Sequence, residues 1–163
     1  MEEEIQTKSK TFKVISVLSY IFIGIQLISV LIGFIYGRPT EEKLLDSKIE
    51  NIQNSKNLGE GFREILIESY EISYQIAIHI NPNYFIHLSV SFIMLMLGLI
   101  GVVFMNQKKK LGFHFYIIYS LLFTAKDYFF LPKHLISIES VLIMLMISGL
   151  FVYLYSRNLK WLK

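Results

Sequence analysis

Four long stretches of the sequence are nearly free of charged side chains, and they restrict the fold more than any other feature. Two of them are uninterrupted and exceed the roughly 18–20 apolar residues that span a bilayer's hydrocarbon core, about 30 Å thick. A third reaches this length if residues 126–131 are included, and the fourth contains one charge, Glu139. The stretches cover residues 14–36, 84–105, 111–125 and 135–155. This pattern predicts a polytopic, all-α integral membrane protein.

The composition agrees with a membrane protein and excludes several other classes. Of the 163 residues, 53% are hydrophobic and 18% are charged, against about 25% charged residues in a typical soluble domain. The chain has no cysteine, which excludes disulfide bonds and thiolate metal sites. The net charge of +3 does not indicate nucleic-acid binding, because the basic residues lie near the ends of the apolar stretches. The abundant Ile, Lys and Asn suggest a bacterial source.

The apolar stretches predict a single membrane domain, residues 1–163, built as a bundle of four transmembrane helices. The first stretch is interpreted as a helix rather than a secretory signal, because it is long, follows an acidic leader and lacks a small-residue cleavage site. Asn81 is predicted to be the N-cap of the second helix, with Pro82 at its first position. Pro132 is predicted to separate the third and fourth helices by a tight turn. The predicted helices are about 13–37, 84–105, 111–131 and 135–156, with an outer loop at 38–83.

The distribution of Lys and Arg predicts the orientation of the chain. Cytoplasmic segments are enriched in basic residues, and short segments next to the helices carry the most weight. Three short segments contain Lys8, Lys10, Lys13, Lys108, Lys109, Lys110, Arg157, Lys160 and Lys163. The 38–83 loop dilutes its basic residues with acids. We therefore expect a plasma (inner) membrane protein whose N- and C-termini are both cytoplasmic and whose long loop faces outward.

Residues 60–80 of the outer loop fit two periodicities. As a helix, they place one narrow polar stripe along its length, formed by Glu64, Glu68, Glu71, Gln75 and His79. As a strand, they alternate apolar side chains with polar ones or Ala77 from residue 70 to residue 80. A strand needs a partner, and no other part of the loop supplies one. An amphipathic helix is favoured, and its largely apolar circumference predicts that it lies against the membrane surface or the bundle.

Polar residues at the outer ends of the four helices form a candidate site. Lys126 lies about 15 residues beyond the cytoplasmic end of the third helix, which is roughly 23 Å of helix and places it in the outer quarter of the bilayer. In one interpretation Lys126 extends to the outer head groups while Asp127 lies at the water boundary. In the other, these side chains turn inward and pair, with a Lys126–Glu139 salt bridge across the hairpin. The predicted outer polar cluster contains Arg38, His87, Lys126, Asp127 and Glu139.

Small side chains on one face of the first helix predict a helix-packing surface. Ser29, Gly33 and Gly37 recur every four residues, a spacing that lets transmembrane helices approach each other closely. This face packs either within the same bundle or against a second copy of the chain in a dimer.

Motifs that carry catalytic or binding chemistry are absent from the sequence. It contains no H-E-x-x-H, no G-x-S-x-G and no glycine-rich phosphate loop. We predict no catalytic, cofactor-binding or metal-binding residue, and interpret the chain as non-enzymatic. The leading hypothesis is an accessory or scaffolding subunit of a membrane complex, whose partners are the lipid bilayer and another membrane protein or a second copy. The alternatives are an oligomeric channel or carrier with a polar outer mouth, and a membrane effector or immunity protein; no nucleic-acid partner is expected.

Overall fold

The computed structural model describes residues 2–159 and residue 162, with side chains described for 10–56, 58–159 and 162. Helices make up 88% of the structure, and the described residues form no strand, which confirms the all-α prediction. Lys160 and Lys163, which entered the orientation argument, lie outside the described residues, as does the side chain of Lys8. The helices are α1 Glu2–Tyr36, α2 Glu41–Asn54, α3 Glu60–Ile80, α4 Tyr84–Asn106, α5 Leu111–Ala125, α6 Asp127–Phe130 and α7 Ile138–Ser156.

Within the described part of the chain, three helical segments are long and apolar enough to cross a membrane. They are Lys10–Tyr36, Glu60–Asn106 and Ile138–Ser156, whereas α5 is apolar but shorter, at 15 residues. Large apolar side chains on these helices face outward; Ile35 is 80% exposed and Met146 is 74% exposed. Such an extensive exposed apolar surface suits hydrocarbon better than water, so the structure is compatible with a membrane protein.

Residues 60–80 are helical in the structure rather than extended, and they continue into α4. A 3-10 turn at Asn81–Asn83 joins α3 to α4, so the prediction that Asn81 caps a new helix is wrong. Asn81 has helical dihedral angles, φ −53° and ψ −43°, and its N–H donates to the carbonyl of Ala77. Because the preceding helix already supplies this acceptor, no side-chain cap is needed, and the 3-10 turn accommodates Pro82, which has no N–H to donate.

The polar segment before α3 also forms a helix, although its sequence was interpreted as part of a loop. Thr40 is the N-cap of α2, and its side chain accepts a hydrogen bond from the N–H of Lys43 at 3.3 Å. Glu41 and Glu42 occupy the first turn, where negative charge interacts favourably with the helix dipole. The α2 and α3 helices pack together as a helical hairpin, which is called the outer hairpin after the outer loop that the sequence predicts for these residues.

The core lies where α4 packs between α1 and α5. Ile23 of α1, Val102 and Met105 of α4, and Tyr116 of α5 are all buried. The α7 helix packs mainly on α5, and among its described residues only Tyr155 is buried. The α7 helix is therefore held to the bundle mainly at Tyr155, near its C-terminal end. Along the rest of its length it leaves space between itself and the bundle.

Candidate functional site

Three cavities meet at Gln26 of α1 and Phe123 of α5, which line all of them. The first lies between α1, α5 and α7 and has a volume of about 350 Å³. The second lies between α1, α4 and α5 and has a volume of about 170 Å³. The third lies between α3, the α5–α7 connection and α7, with a volume of about 320 Å³. The three together are named the Gln26 cleft.

The first cavity is a slot with largely apolar walls. Phe22, Ile147 and Phe151 contribute to its lining, and a few hydroxyl groups interrupt the apolar surface. Tyr119 also lines it, and the buried hydroxyl of Tyr119 has no hydrogen-bond partner among the described residues. The slot exists because α7 is buried only at Tyr155 in the described part of the chain. Phe22 and Ile147 in its lining are 43% and 49% exposed, so the slot is open to the surroundings of the bundle.

The second cavity is more polar than the first. Ser29, His87, Ser91 and Lys126 line it together with Gln26. The hydroxyl of Ser91 is buried without a hydrogen-bond partner among the described side chains and backbone groups. The side-chain amide of Gln26 likewise makes no hydrogen bond within the described structure. Unpaired polar groups in an apolar environment are costly, so this cavity has hydrogen-bonding capacity that the chain itself does not use.

Lys126 connects the second cavity to the third. Its side chain is half-buried, and its Nζ lies 5.2 Å from the centre of the Phe123 ring, within the range of a cation–π contact. Asp127 lines only the third cavity, and His87 only the second. The His87 ring lies edge-on to the Phe130 ring, with centroids 4.9 Å apart. Three predicted residues of the outer polar cluster, His87, Lys126 and Asp127, therefore border adjoining cavities.

The other two residues of the predicted cluster lie elsewhere. The Nε of Arg38 donates a hydrogen bond to Oδ1 of Asn81 at 3.3 Å, which ties the end of α1 to the α3–α4 turn. Glu139 is exposed on the first turn of α7 and lines none of the three cavities. Among the described side chains, no ion pair joins Glu139 to Lys126. The predicted Lys126–Glu139 salt bridge is therefore not present.

The shape of the α5–α7 connection explains the missing salt bridge. The prediction assumed two regular helices joined by a tight turn at Pro132. Instead, α5 is followed by the short helix α6, an extended Leu131 and a 3-10 turn at Lys133–Leu135. The next helix begins only after Ser137, whose hydroxyl accepts a hydrogen bond from the N–H of Ser140 at 3.3 Å. The similar spacing of Lys126 and Glu139 from Pro132, six residues before it and seven after it, therefore does not bring the two side chains together.

The three residues of the predicted packing face of α1, Ser29, Gly33 and Gly37, have three different roles in the structure. A methyl group at Gly33 would lie 3.1 Å from the Leu88 side chain, and the Tyr84 hydroxyl donates to the Gly33 carbonyl at 3.1 Å. Gly33 therefore packs on α4 within the same chain. Gly37 has a positive φ of 73° and ends α1, because glycine adopts this conformation without steric cost. Ser29 is exposed and lines the second cavity.

Sequence reasoning missed Gln26, although the sequence contains a signal for it. Gln26 is the only side-chain amide in the apolar stretch 14–36, and polar side chains in membrane helices mark interhelical contacts or functional sites. Ser91 and Tyr119 carried no comparable signal, because hydroxyl groups occur throughout these helices.

Comparisons of the chain with protein-family models, with curated proteins and with solved structures find no match. Within the described residues, no group of three or more His, Asp or Glu side chains could hold a metal ion. The fold defines the class of protein as an all-helical chain with three candidate membrane-spanning helices. The Gln26 cleft and the outer hairpin are the two surfaces of this fold that could bind a ligand or a partner.

Proposed function

We propose that the chain forms a bundle of four transmembrane helices in the plasma (inner) membrane, with α5 and α6 together as the third crossing. Lys126 separates α5 from α6 but keeps helical dihedral angles, φ −56° and ψ −37°. Residues 111–130 therefore form an almost continuous helical path of about 30 Å at 1.5 Å per residue. The packing of α5 along both α4 and α7, each a candidate span or part of one, supports this topology.

Both termini are proposed to be cytoplasmic, which places the outer hairpin on the other side of the membrane. The basic turn between α4 and α5, which contains Lys108, Lys109 and Lys110, supports this orientation through the positive-inside rule.

The outer hairpin is proposed to be a preformed arm for a partner protein. The Lys48 ammonium pairs with the Glu71 carboxylate and lies 4.8 Å from the centre of the Tyr74 ring. These contacts fix α2 against α3. Because α3 also continues into α4, the arm is joined to a membrane helix without a flexible linker. A partner would therefore not have to order the hairpin when it binds.

The function that these features support best is a non-enzymatic accessory or scaffolding subunit of a membrane complex. The observation that carries this proposal is an exposed apolar stripe on α3: Phe62 is 58% exposed and Ile65 is 65% exposed. Leu58, which is extended and precedes the N-cap Gly59 of α3, is exposed as well. Apolar side chains at helical spacing on an outward-facing arm form the kind of surface that an interface buries.

Co-purification from native membranes tests this function. The wild-type chain should purify with a stoichiometric membrane-protein partner, identified by mass spectrometry, and Phe62→Ser with Ile65→Ser should release it. Glu64→Ser with Glu68→Ser is the matched control on the polar side of α3 and should retain the partner. Wild-type chain that purifies alone, or apolar variants that keep the partner, would refute the proposed role of the stripe.

An oligomeric channel or carrier is the second candidate, because His87 and Lys126 border a polar cavity at the proposed outer side. Native mass spectrometry separates the two functions. A homo-oligomer without another protein favours the channel or carrier, whereas a hetero-complex favours the accessory subunit.

A further inference from the structure

The two charged side chains of the Gln26 cleft, Lys126 and Asp127, do not form an ion pair with each other. Among the described residues, Lys126 has no ion-pair partner; its ammonium lies over the Phe123 ring and acts electrostatically on the neighbouring His87. Asp127 has no ion-pair partner either. Their positions differ, because Lys126 borders both the second and third cavities whereas Asp127 borders only the third. The cleft therefore offers a cation-lined chamber beside a chamber that also holds a carboxylate.

This arrangement complements a head group with two opposite charges. A phosphate in the second cavity would meet the Lys126 ammonium and the unpaired groups of Gln26 and Ser91. An ammonium group in the third cavity would meet the Asp127 carboxylate, near the hydroxyls of Thr124 and Ser137 that line the same space. Charged hydrogen bonds of this kind are the strong ones in proteins. A head group with only a negative charge would leave Asp127 unpaired.

The slot beside α7 supplies a place for a hydrocarbon chain. It shares Gln26 and Phe123 with the two polar cavities, and Ser140 and Met144 also line both the slot and the third cavity. Its volume of about 350 Å³ falls in the range of small-molecule sites, roughly 300–1,000 Å³. Because the slot opens between helices, an acyl chain could enter from the bilayer without leaving hydrocarbon.

We propose that the Gln26 cleft binds one amine-containing zwitterionic phospholipid, with its phosphate at Lys126, its ammonium at Asp127 and one acyl chain in the slot between α1, α5 and α7. This site is separate from the apolar stripe of the outer hairpin and does not depend on the proposed protein partner. The lipid would fill the space that α7 leaves open and hold this helix against α1 and α5.

Native mass spectrometry of the purified chain with added phosphatidylethanolamine, phosphatidylcholine or phosphatidylglycerol tests the site. Phosphatidylethanolamine should bind about tenfold more tightly than either of the others, since each of those lacks one charged hydrogen bond to the cleft. Phosphatidylcholine cannot donate a hydrogen bond to Asp127, and phosphatidylglycerol has no ammonium. Equal affinity for the three lipids, or no one-to-one complex, would overturn the proposal.

Paired variants separate the charge contacts from general effects on the bundle. Lys126→Met should weaken the binding of all three lipids about tenfold, whereas Lys133→Met, at an exposed position of the same connection, should not. Asp127→Asn should abolish the preference for phosphatidylethanolamine over phosphatidylglycerol, whereas the exposed-site control Glu139→Gln should preserve it. If either control matches its partner variant, the cleft does not recognise the head group.

A space-filling substitution tests the acyl chain without altering a charge. Ile147 lines the slot and Met146 does not, and both side chains are exposed. Ile147→Trp should therefore reduce lipid binding at least tenfold, while Met146→Trp should leave it unchanged. Because both positions lie on the exposed part of α7, neither change should unfold the bundle, which a helical circular dichroism spectrum would verify. Wild-type lipid binding by a folded Ile147→Trp variant would place the lipid elsewhere.

Discussion

Gly101 of α4 and Gly112 of α5 bring the backbones of the two helices into direct contact. A Cβ atom added to Gly112 would lie 2.5 Å from the carbonyl oxygen of Gly101, and one added to Gly101 would lie 3.0 Å from the carbonyl oxygen of Gly112. Because the neighbouring atoms belong to the backbone, no side-chain rotation can relieve the contact. The two helices can therefore approach this closely only because both residues are glycine.

Gly112→Ala should lower the stability of the chain in detergent by about 1–3 kcal/mol, the usual cost of overpacking. Thermal unfolding followed by circular dichroism measures the loss. Gly24→Ala and Gly149→Ala are matched controls, because a Cβ at either helical position meets nothing within 4 Å. Both controls should be neutral or slightly stabilising, since alanine favours helix over glycine. A Gly112→Ala variant as stable as the controls would show that α4 and α5 do not approach this closely.

Tyr155 should be the main attachment of α7 to the bundle. Its hydroxyl donates to Ser19 Oγ at 3.0 Å, and its ring packs edge-on against Phe12 and Tyr116. Tyr155→Phe keeps the ring contacts but removes the donor, so it should cost about 1 kcal/mol. Tyr155→Ala should cost several times more, because it also leaves a cavity. Tyr153→Phe, at an exposed position two residues away, should leave the unfolding temperature unchanged; a comparable loss there would contradict the assignment.

Acidic conditions should loosen the contact between α2 and α3 in the outer hairpin. The hydrogen bond from Lys48, followed by one from Gln75, lowers the pKa of the Glu71 carboxyl below its usual value of 4.5. A carboxyl whose pKa is lower in the folded hairpin stabilises the fold above its unfolded pKa, and this contribution is lost as the pH falls through the folded pKa. The distance between spin labels at Gln53 and Ser69 should therefore increase below about pH 4.5.

Glu71→Gln provides the control for this titration. It removes the titrating group and the ion pair together, so its label distance should be longer at neutral pH and should not change through the same pH range. Both labels can be attached to single introduced cysteines, because the chain has none. An identical acid response in wild type and Glu71→Gln would assign the opening to another group.

Reporter fusions should show that the outer hairpin and the C-terminus lie on opposite sides of the membrane. The proposed four crossings and the basic α4–α5 turn place a reporter inserted at Lys56 outside and one fused after residue 163 inside. Alkaline phosphatase and green fluorescent protein report these two locations with opposite signals. The same signal from both positions would mean that the chain crosses the membrane an even number of times between them, instead of the proposed three, and that the proposed topology is wrong.

The long apolar helices could be predicted because their signal is local. A long run without charge defines a helix such as α4 from its own residues alone. The α2 helix was missed because it has no long apolar run, although Thr40, Glu41 and Glu42 supply a local start signal; its pairing with α3 through Lys48 and Glu71 is not visible in the sequence. Continuity from α3 to α4 was missed for a similar reason, since Asn81 and Pro82 have the residue types of a helix start.

For the candidate site, the sequence predicts only how far along each helix its residues lie. Counting residues along helices placed His87, Lys126 and Asp127 at similar levels, and the structure brings them to adjoining cavities. Depth does not determine the direction in which a side chain points around the helix axis, so Glu139 was grouped with them although it is exposed. Gln26 was overlooked because the sequence does not show that the first, second and third cavities converge on one face of α1.

The separation of Lys126 from Glu139 leads to a last prediction about their energetic independence. Neither residue has an ion-pair partner among the described side chains, so the effects of Lys126→Met and Glu139→Gln on unfolding free energy should add within about 0.5 kcal/mol. Glu139→Gln alone should change stability by no more than about 0.5 kcal/mol, as expected for an exposed position.

The unfolding measurements should be made in lipid-free detergent, where a ligand at Lys126 cannot contribute. Tyr155→Phe with Ser19→Ala is the positive control, because these hydroxyls share a buried hydrogen bond and their effects should not add. A coupling above about 1 kcal/mol between Lys126 and Glu139 would show that the salt bridge forms, and it would move Glu139 into the Gln26 cleft.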